Sequence, residues 1–121
     1  MHVGKDLIAA SAAPLVLGIL CEGDSYGYAI TKRVGELSTG RLEWADGFLY
    51  PMLHRLERLG QIESDWRQPV GERRRKYYRI TEAGRAELAE HQRQWQAVLD
   101  ALRGVWEDLR FEPLLTPPQV G

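Results

Sequence analysis

Residues 46–80, DGFLYPMLHRLERLGQIESDWRQPVGERRRKYYRI, carry the reading that decides the fold. In the first half, Leu49, Met52, Leu53, Leu56 and Leu59 recur at helical spacing, which lines them along one stripe facing a core. The opposite side of that helix carries Gly47, Tyr50, Pro51, His54 and Arg58, with Arg55 at the margin. That face is not built for burial. A phenol, an imidazole and guanidiniums on a rigid rod are the groups that read base edges and phosphates in a major groove. Gly60 stops the helix, and two strand-like runs follow, Ile62 to Trp66 and Lys76 to Ile80. Pro69 and Gly71 mark a turn between them, flanked by Arg67, Arg73, Arg74, Arg75 and Lys76. A helix followed by a cationic hairpin predicts a winged helix-turn-helix, mainly α with a small β-wing.

Working outward, Asp46 is a plausible N-cap for the reading helix, and Pro51 is expected in an early turn that leaves its missing amide unneeded. Upstream, Leu42-Glu43-Trp44 is read as a short strand completing a three-stranded sheet, with Trp44 in the core. A positioning helix is expected from about Tyr26 to Leu37, burying Ala29, Ile30, Val34 and Leu37, with Asp24 or Ser25 as its N-cap. Lys32 and Arg33 lie off that stripe, where they face solvent or touch phosphate. Tyr26 is assigned to DNA contact and Tyr28 to packing. Before this, the firm helix is expected from Pro14 to Cys21, preceded at most by a separate helical turn. Leu7, Ile8, Leu15, Val16, Ile19 and Leu20 exceed what one small domain's flank needs; each is either core or a partner surface.

Downstream, Tyr77 and Tyr78 point to opposite faces of their strand, one into the core and one covering the wing. Arg73 to Lys76 suits an ordinary solvated hairpin. Four adjacent cations repel one another, however, and an anionic partner relieves that repulsion. Thr81 caps the last helix, with Glu82 set against its positive end. Leu88, Trp95, Leu102 and Leu109 recur in it every seven residues, and Val98, Leu99, Val105 and Trp106 widen the stripe. A helix of about thirty residues is on the order of 45 Å long, so much of that stripe has no intramolecular floor. The organisation expected is a DNA-binding domain with its N-terminal helix over 1–81, a dimerisation helix over 82–112, and a flexible Pro-containing tail over 113–121.

Several of these segments together resemble the PadR family of bacterial transcriptional regulators. They are Gly47-Phe48-Leu49-Tyr50-Pro51, His54-Arg55-Leu56-Glu57 with Gly60, and Arg74 to Gly84 (RRKYYRITEAG), with Tyr26-Gly27-Tyr28 upstream. The resemblance spans roughly Leu15 to Trp106, and its motifs are specific only in combination. Phe48 departs from the family's usual Ser or Thr, and Ala29 from a usual acidic residue. The resemblance implies a homodimer on a double-stranded operator, the C-terminal helix of each subunit packing against the first helices of the other. It also implies a small-molecule effector site, because Trp95 falls where multidrug-sensing relatives stack a tryptophan on flat aromatic ligands. Its expected neighbours are Val98 and Leu99, with Leu15 and Ile19 of the second subunit as walls. Residue preferences alone favour dimer packing for Trp95.

Composition bounds these readings. At 121 residues with 44% hydrophobic content the chain builds one modest core. A net charge of -1 is unhelpful for binding phosphate overall, but the basic residues gather between Arg55 and Arg79 while Glu87, Glu90, Asp100, Glu107, Asp108 and Glu112 load the C-terminal third. The single cysteine, Cys21, excludes an internal disulfide, and His2, His54 and His91 lack ligand spacing with it, so no metal or cofactor is expected. The N-terminal apolar run follows its small residues instead of preceding them, unlike a signal peptide, and is too short to span a bilayer. A cytoplasmic, non-membrane protein is expected. No nucleophile with a base, phosphate loop or catalytic acid pair is present, so the chain does not read as an enzyme. The reading is a DNA-binding regulator, a repressor released by a hydrophobic or phenolic effector. The competing reading is a winged-helix module that binds protein only.

Overall fold

A computed structural model describes residues 1–109, which form four helices and one three-stranded antiparallel sheet. Helix α1 runs Lys5–Glu22 straight through Pro14. The expected start at Pro14 is therefore too late. Proline removes one bond, to the carbonyl four residues back, and crowds it. The Ala-rich turns before Pro14 favour helix, and Ala12, Val16, Leu17, Ile19 and Leu20 are buried along its length, which offsets that loss. Gly23, at φ 151°, then redirects the chain.

After Asp24, Ser25 is not a cap but opens strand β1, Ser25–Tyr26. It pairs with the later strand β3, Arg75–Ile80, through Ser25 opposite Tyr78 and Tyr26 opposite Tyr77. This is the third strand of the wing, and Leu42-Glu43-Trp44 forms none. The correction has a packing cause: Trp44 turns inward to full burial, its ring 5.3 Å from Phe48, so its segment serves the core instead of a sheet edge. Helix α2, Gly27–Ser38, begins directly after β1 with Tyr26 as an N-cap that contributes no side-chain bond. Gly27, Ile30 and Val34 are its buried residues, whereas Leu37, expected inside, is half exposed on the last turn.

Helix α3, Asp46–Arg58, starts one residue earlier than an Asp46 cap would allow. Ala45 is the N-cap, and Asp46 sits in the first turn beside the positive helix end. Pro51 consequently lies beyond that turn, and it withholds the donor that the Gly47 carbonyl would otherwise receive. Leu49, Leu53 and Leu56 are buried as their spacing requires; Leu59 is the exposed C-cap. Gly60 at φ 74° closes the helix, its amide bonding Glu57 O at 3.0 Å while the Gln61 amide bonds Leu56 O at 3.0 Å. That pairing satisfies the last carbonyls with a left-handed residue that glycine adopts without steric cost.

Strand β2, Ile62–Arg67, lies antiparallel to β3 from Ile62 opposite Ile80 to Arg67 opposite Arg75. Pro69 to Glu72 makes the turn, closed by a 3.0 Å bond from the Glu72 amide to Pro69 O, with Gly71 at φ 80° in the third position. Tyr78 and Ile80 are buried, and Tyr77 stays half exposed.

Helix α4 runs Glu82–Leu109. Thr81 caps it, Oγ1 accepting the Gly84 amide at 3.1 Å and donating to Gly60 O at 2.6 Å, while the Thr81 amide donates to Gln61 O at 3.1 Å. The chain divides into two compact units, residues 1–89 and residues from 90 onward. In the first unit Leu88 packs against the core built by α1, α2, α3 and the sheet. The second, as far as Leu109, is the remainder of α4; the expected helix end to 112 and the tail 113–121 lie outside the described residues. No helix among the described residues is long and apolar enough to cross a membrane. No group of three or more His, Cys, Asp or Glu side chains that could hold a metal occurs among them.

Candidate nucleic-acid interface

One groove of about 590 Å³ joins the outward face of α3 to the wing. Tyr50 and His54 reach it from α3, Arg73, Arg74, Arg75 and Lys76 from the hairpin, and Tyr26, Gly27 and Tyr28 from the junction of β1 with α2. Pro51, His54 and Arg58 border a second, shallower depression along α3, next to Glu57. Arg55 is exposed at the margin of the same helix and lines neither. Of the residues expected to face DNA, Tyr26, Tyr50, His54 and Arg73 to Lys76 line the groove, Pro51 and Arg58 adjoin it through His54, and Arg55 stands apart. Tyr50, at 41% exposed, and its neighbours on α3 stay outside because the leucine stripe turns inward, which leaves the polar arc to solvent.

The wing cations fall into two groups. Arg67 is held between Asp65 at 3.0 Å and Asp24 at 2.9 Å, over the Tyr77 ring at 5.1 Å. Its pKa is raised, first by the bond it donates to Asp65 and then by that to Asp24. Arg79 pairs with Glu63, which raises its pKa likewise. Both are committed within the fold. Arg74 instead lies over the Trp66 ring at 5.0 Å and Lys76 is 5.7 Å from the Tyr78 ring, contacts that orient a cation without neutralising it. Arg75 stacks on Tyr26 at 4.5 Å, and its Nη1 is buried, without a hydrogen bond among the described residues and 3.8 Å from Glu72. On α2, Arg33 forms a bidentate pair with Glu22 at 2.8 and 2.9 Å, whereas Lys32 is exposed. The Arg33 bond holds the Glu22 carboxyl below its usual range.

Tyr26 and Tyr28 both line the groove, and Tyr28 is not the packing residue it was expected to be. Tyr26 is half-buried, edge-on to Tyr77 at 5.2 Å and beneath Arg75, while Tyr28, assigned to packing, is 72% exposed at the groove. The cause is β1: pairing with β3 pins residue 26 into the sheet and turns residue 28 out on the first turn of α2. Tyr78 lies at the groove floor, its hydroxyl pKa raised by burial, then by Glu57 and Tyr50 nearby. Trp66, 58% exposed, is a wall that sequence reasoning did not single out. Its signal was present in the pattern, since alternation puts Trp66 on the face of Ile62, and the strand extends past the core.

The residues expected to bind an effector come from α4 and α1. Trp95 is half-buried on α4, and Val98 and Leu99 are exposed beside it. Leu15 is half-buried on α1, but Ile19 is only 5% exposed within its own core, which removes it as a wall for a second subunit's pocket. Of the expected dimer residues, Leu88 packs against its own core, and Leu102, Val105, Trp106 and Leu109 leave 38%, 55%, 40% and 53% of their surfaces exposed.

Comparison with known proteins is consistent along the chain. The family described as transcriptional regulator PadR-like matches residues 16–90. Transcriptional regulator Rv3488 of Mycobacterium tuberculosis (strain ATCC 25618 / H37Rv) is 48% identical over 78 residues, 64% of this chain and 69% of that protein. Among solved structures, a transcriptional regulator from Clostridium thermocellum superposes with a TM-score of 0.75 at 30% identity, covering 83% of this chain and 97% of the other. A PadR family transcriptional regulator from Eggerthella lenta gives 0.72 at 31%, covering 84% and 87%.

Proposed function

The chain belongs to the PadR-like family of transcriptional regulators, and we propose that it acts as a homodimeric repressor, α3 entering the major groove of an operator and the β2–β3 wing engaging the backbone. The observation that carries this reading is the groove uniting Tyr50 and His54 with Arg73, Arg74, Arg75 and Lys76. Base-reading groups on the helix and phosphate-binding cations on the hairpin divide the work as specific binding requires. The overall net charge of -1 is no obstacle, because Arg73, Arg74, Arg75 and Lys76 gather their charge at the groove.

Dimerisation supplies the second half-site, and the exposed apolar face of α4 supports it. Release from DNA is assigned to a small hydrophobic or phenolic effector near Trp95, Val98 and Leu99, with Leu15 of the second subunit as a wall. Each of these steps is non-covalent, and none needs a metal or cofactor.

The test is duplex binding against salt. Arg74→Ala with Arg75→Ala weakens binding to every duplex and flattens the dependence of log affinity on log salt, by about 0.9 for each phosphate no longer neutralised. His54→Ala instead changes preference among sequences, leaving the slope in place. A salt-independent interaction with duplex DNA would leave a protein-binding module as the function.

A further inference from the structure

Gly27 abuts the most prominent side chain of the reading face. A Cβ built on Gly27 would stand 2.5 Å from the Tyr50 hydroxyl oxygen, 3.0 Å from Cζ and 3.2 Å from Cε1. No side chain fits there while Tyr50 keeps its place. The backbone gives no other reason for glycine, because Gly27 has no positive φ and is the first residue of α2, a position alanine adopts readily. Gly27 also follows Tyr26, which pairs with Tyr77 and lies under Arg75, so its Cα is fixed with respect to the wing.

We propose that Gly27 is a positioning residue for DNA reading: it admits the Tyr50 ring against the start of α2, and so sets the phenol of the reading helix at a fixed place beside the wing. The inference rests on the DNA-binding function proposed above. Its physical content is that Tyr50 is held between two elements instead of rotating freely from α3. A tyrosine so held can offer its hydroxyl to one base edge or phosphate without first losing rotamer freedom. The clash to be relieved is with the far end of a flexible side chain, so alanine at position 27 displaces the phenol and leaves the core packing untouched.

Gly27→Ala therefore separates folding from reading. Its thermal midpoint is expected to equal or exceed the parent's, alanine being the better helix former. With the protein labelled by 3-fluorotyrosine, the Tyr50 resonance, assigned from Tyr50→Phe, moves in Gly27→Ala in the absence of DNA. The probe for binding is the duplex that the unmodified protein enriches from a random pool, with a scrambled duplex of the same composition as its control. The ratio of the two affinities falls about tenfold in Gly27→Ala, as expected when one base-edge interaction is removed, while affinity for the scrambled duplex is retained. In a Tyr50→Ala background the Gly27→Ala change has no further effect on that ratio, which a merely structural role would not produce. An unmoved Tyr50 resonance, an unchanged ratio, or additive losses in the double variant would each overturn the proposal alone. Failure of the parent to enrich any sequence would overturn the DNA-binding function, and this proposal with it.

Discussion

Trp95 shows how one residue can be placed without its role following from the placement. Its half-buried ring on α4 has Val98 and Leu99 exposed next to it, a surface on which a planar molecule can lie at little conformational cost. If Trp95 forms the effector site, planar dyes quench intrinsic fluorescence in the parent and bind about tenfold or more weakly to Trp95→Phe, Trp44, Trp66 and Trp106 giving the background. Equal dye affinity in both proteins assigns Trp95 to packing. At this scale legibility was uneven. His54, Arg55 and Arg58 were correctly placed outside, since helical spacing alone separates them from Leu49, Leu53 and Leu56. Tyr28 was misplaced as packing, because how far each tyrosine turns out depends on a strand pairing about fifty residues distant in the chain.

Among elements, α2, α3 and α4 follow their apolar periodicity, and β2 and β3 follow the Pro69–Gly71 turn to within a residue. The third strand was misplaced for an energetic reason. Two residues cannot display an alternation, and Ser25–Tyr26 becomes a strand only because β3 offers it an edge. Pro14 misled in the opposite direction, since local cost is visible in sequence while the burial that offsets it is not. The junction of α3 with α4 is the most demanding feature at this scale. Gly84 is buried against the Gln61 carbonyl, and a Cβ at position 84 would lie 2.0 Å from that oxygen and 2.7 Å from Ile80 Cγ1. Backbone cannot yield as a tyrosine tip can. Gly84→Ala is expected to destabilise the fold by about 1–3 kcal/mol, as overpacking does, despite alanine's better helix propensity. Urea denaturation of the two proteins checks this, and an unchanged midpoint would show that the junction yields easily.

For the whole molecule, the proposed assembly depends on the part of α4 that carries Leu102, Val105, Trp106 and Leu109 on one exposed stripe. Helices of this kind draw their stability from tertiary packing, which a second copy of the chain supplies. Leu102→Glu would place a carboxylate in that interface, and the leftover charge would cost several kcal/mol. Sedimentation is expected to show a dimer for the parent and a shift to monomer for the variant; a parent monomer at micromolar concentration would remove the dimer. The DNA-reading half was legible because helix and hairpin are local patterns. The proposed assembly is suggested in sequence only by surplus apolar surface, which carries no information on how a partner would dock.

The Thr81 hydroxyl has a mechanical consequence. It receives the Gly84 amide and grips the Gly60 carbonyl, while its own amide holds Gln61. The close of α3 and the opening of α4 are thus clamped at one point, although a whole hairpin separates them along the chain. Loss of that one hydroxyl, as in Thr81→Val, would free the Gly84 amide and the Gly60 carbonyl together, so both helix ends lose a partner in a single substitution.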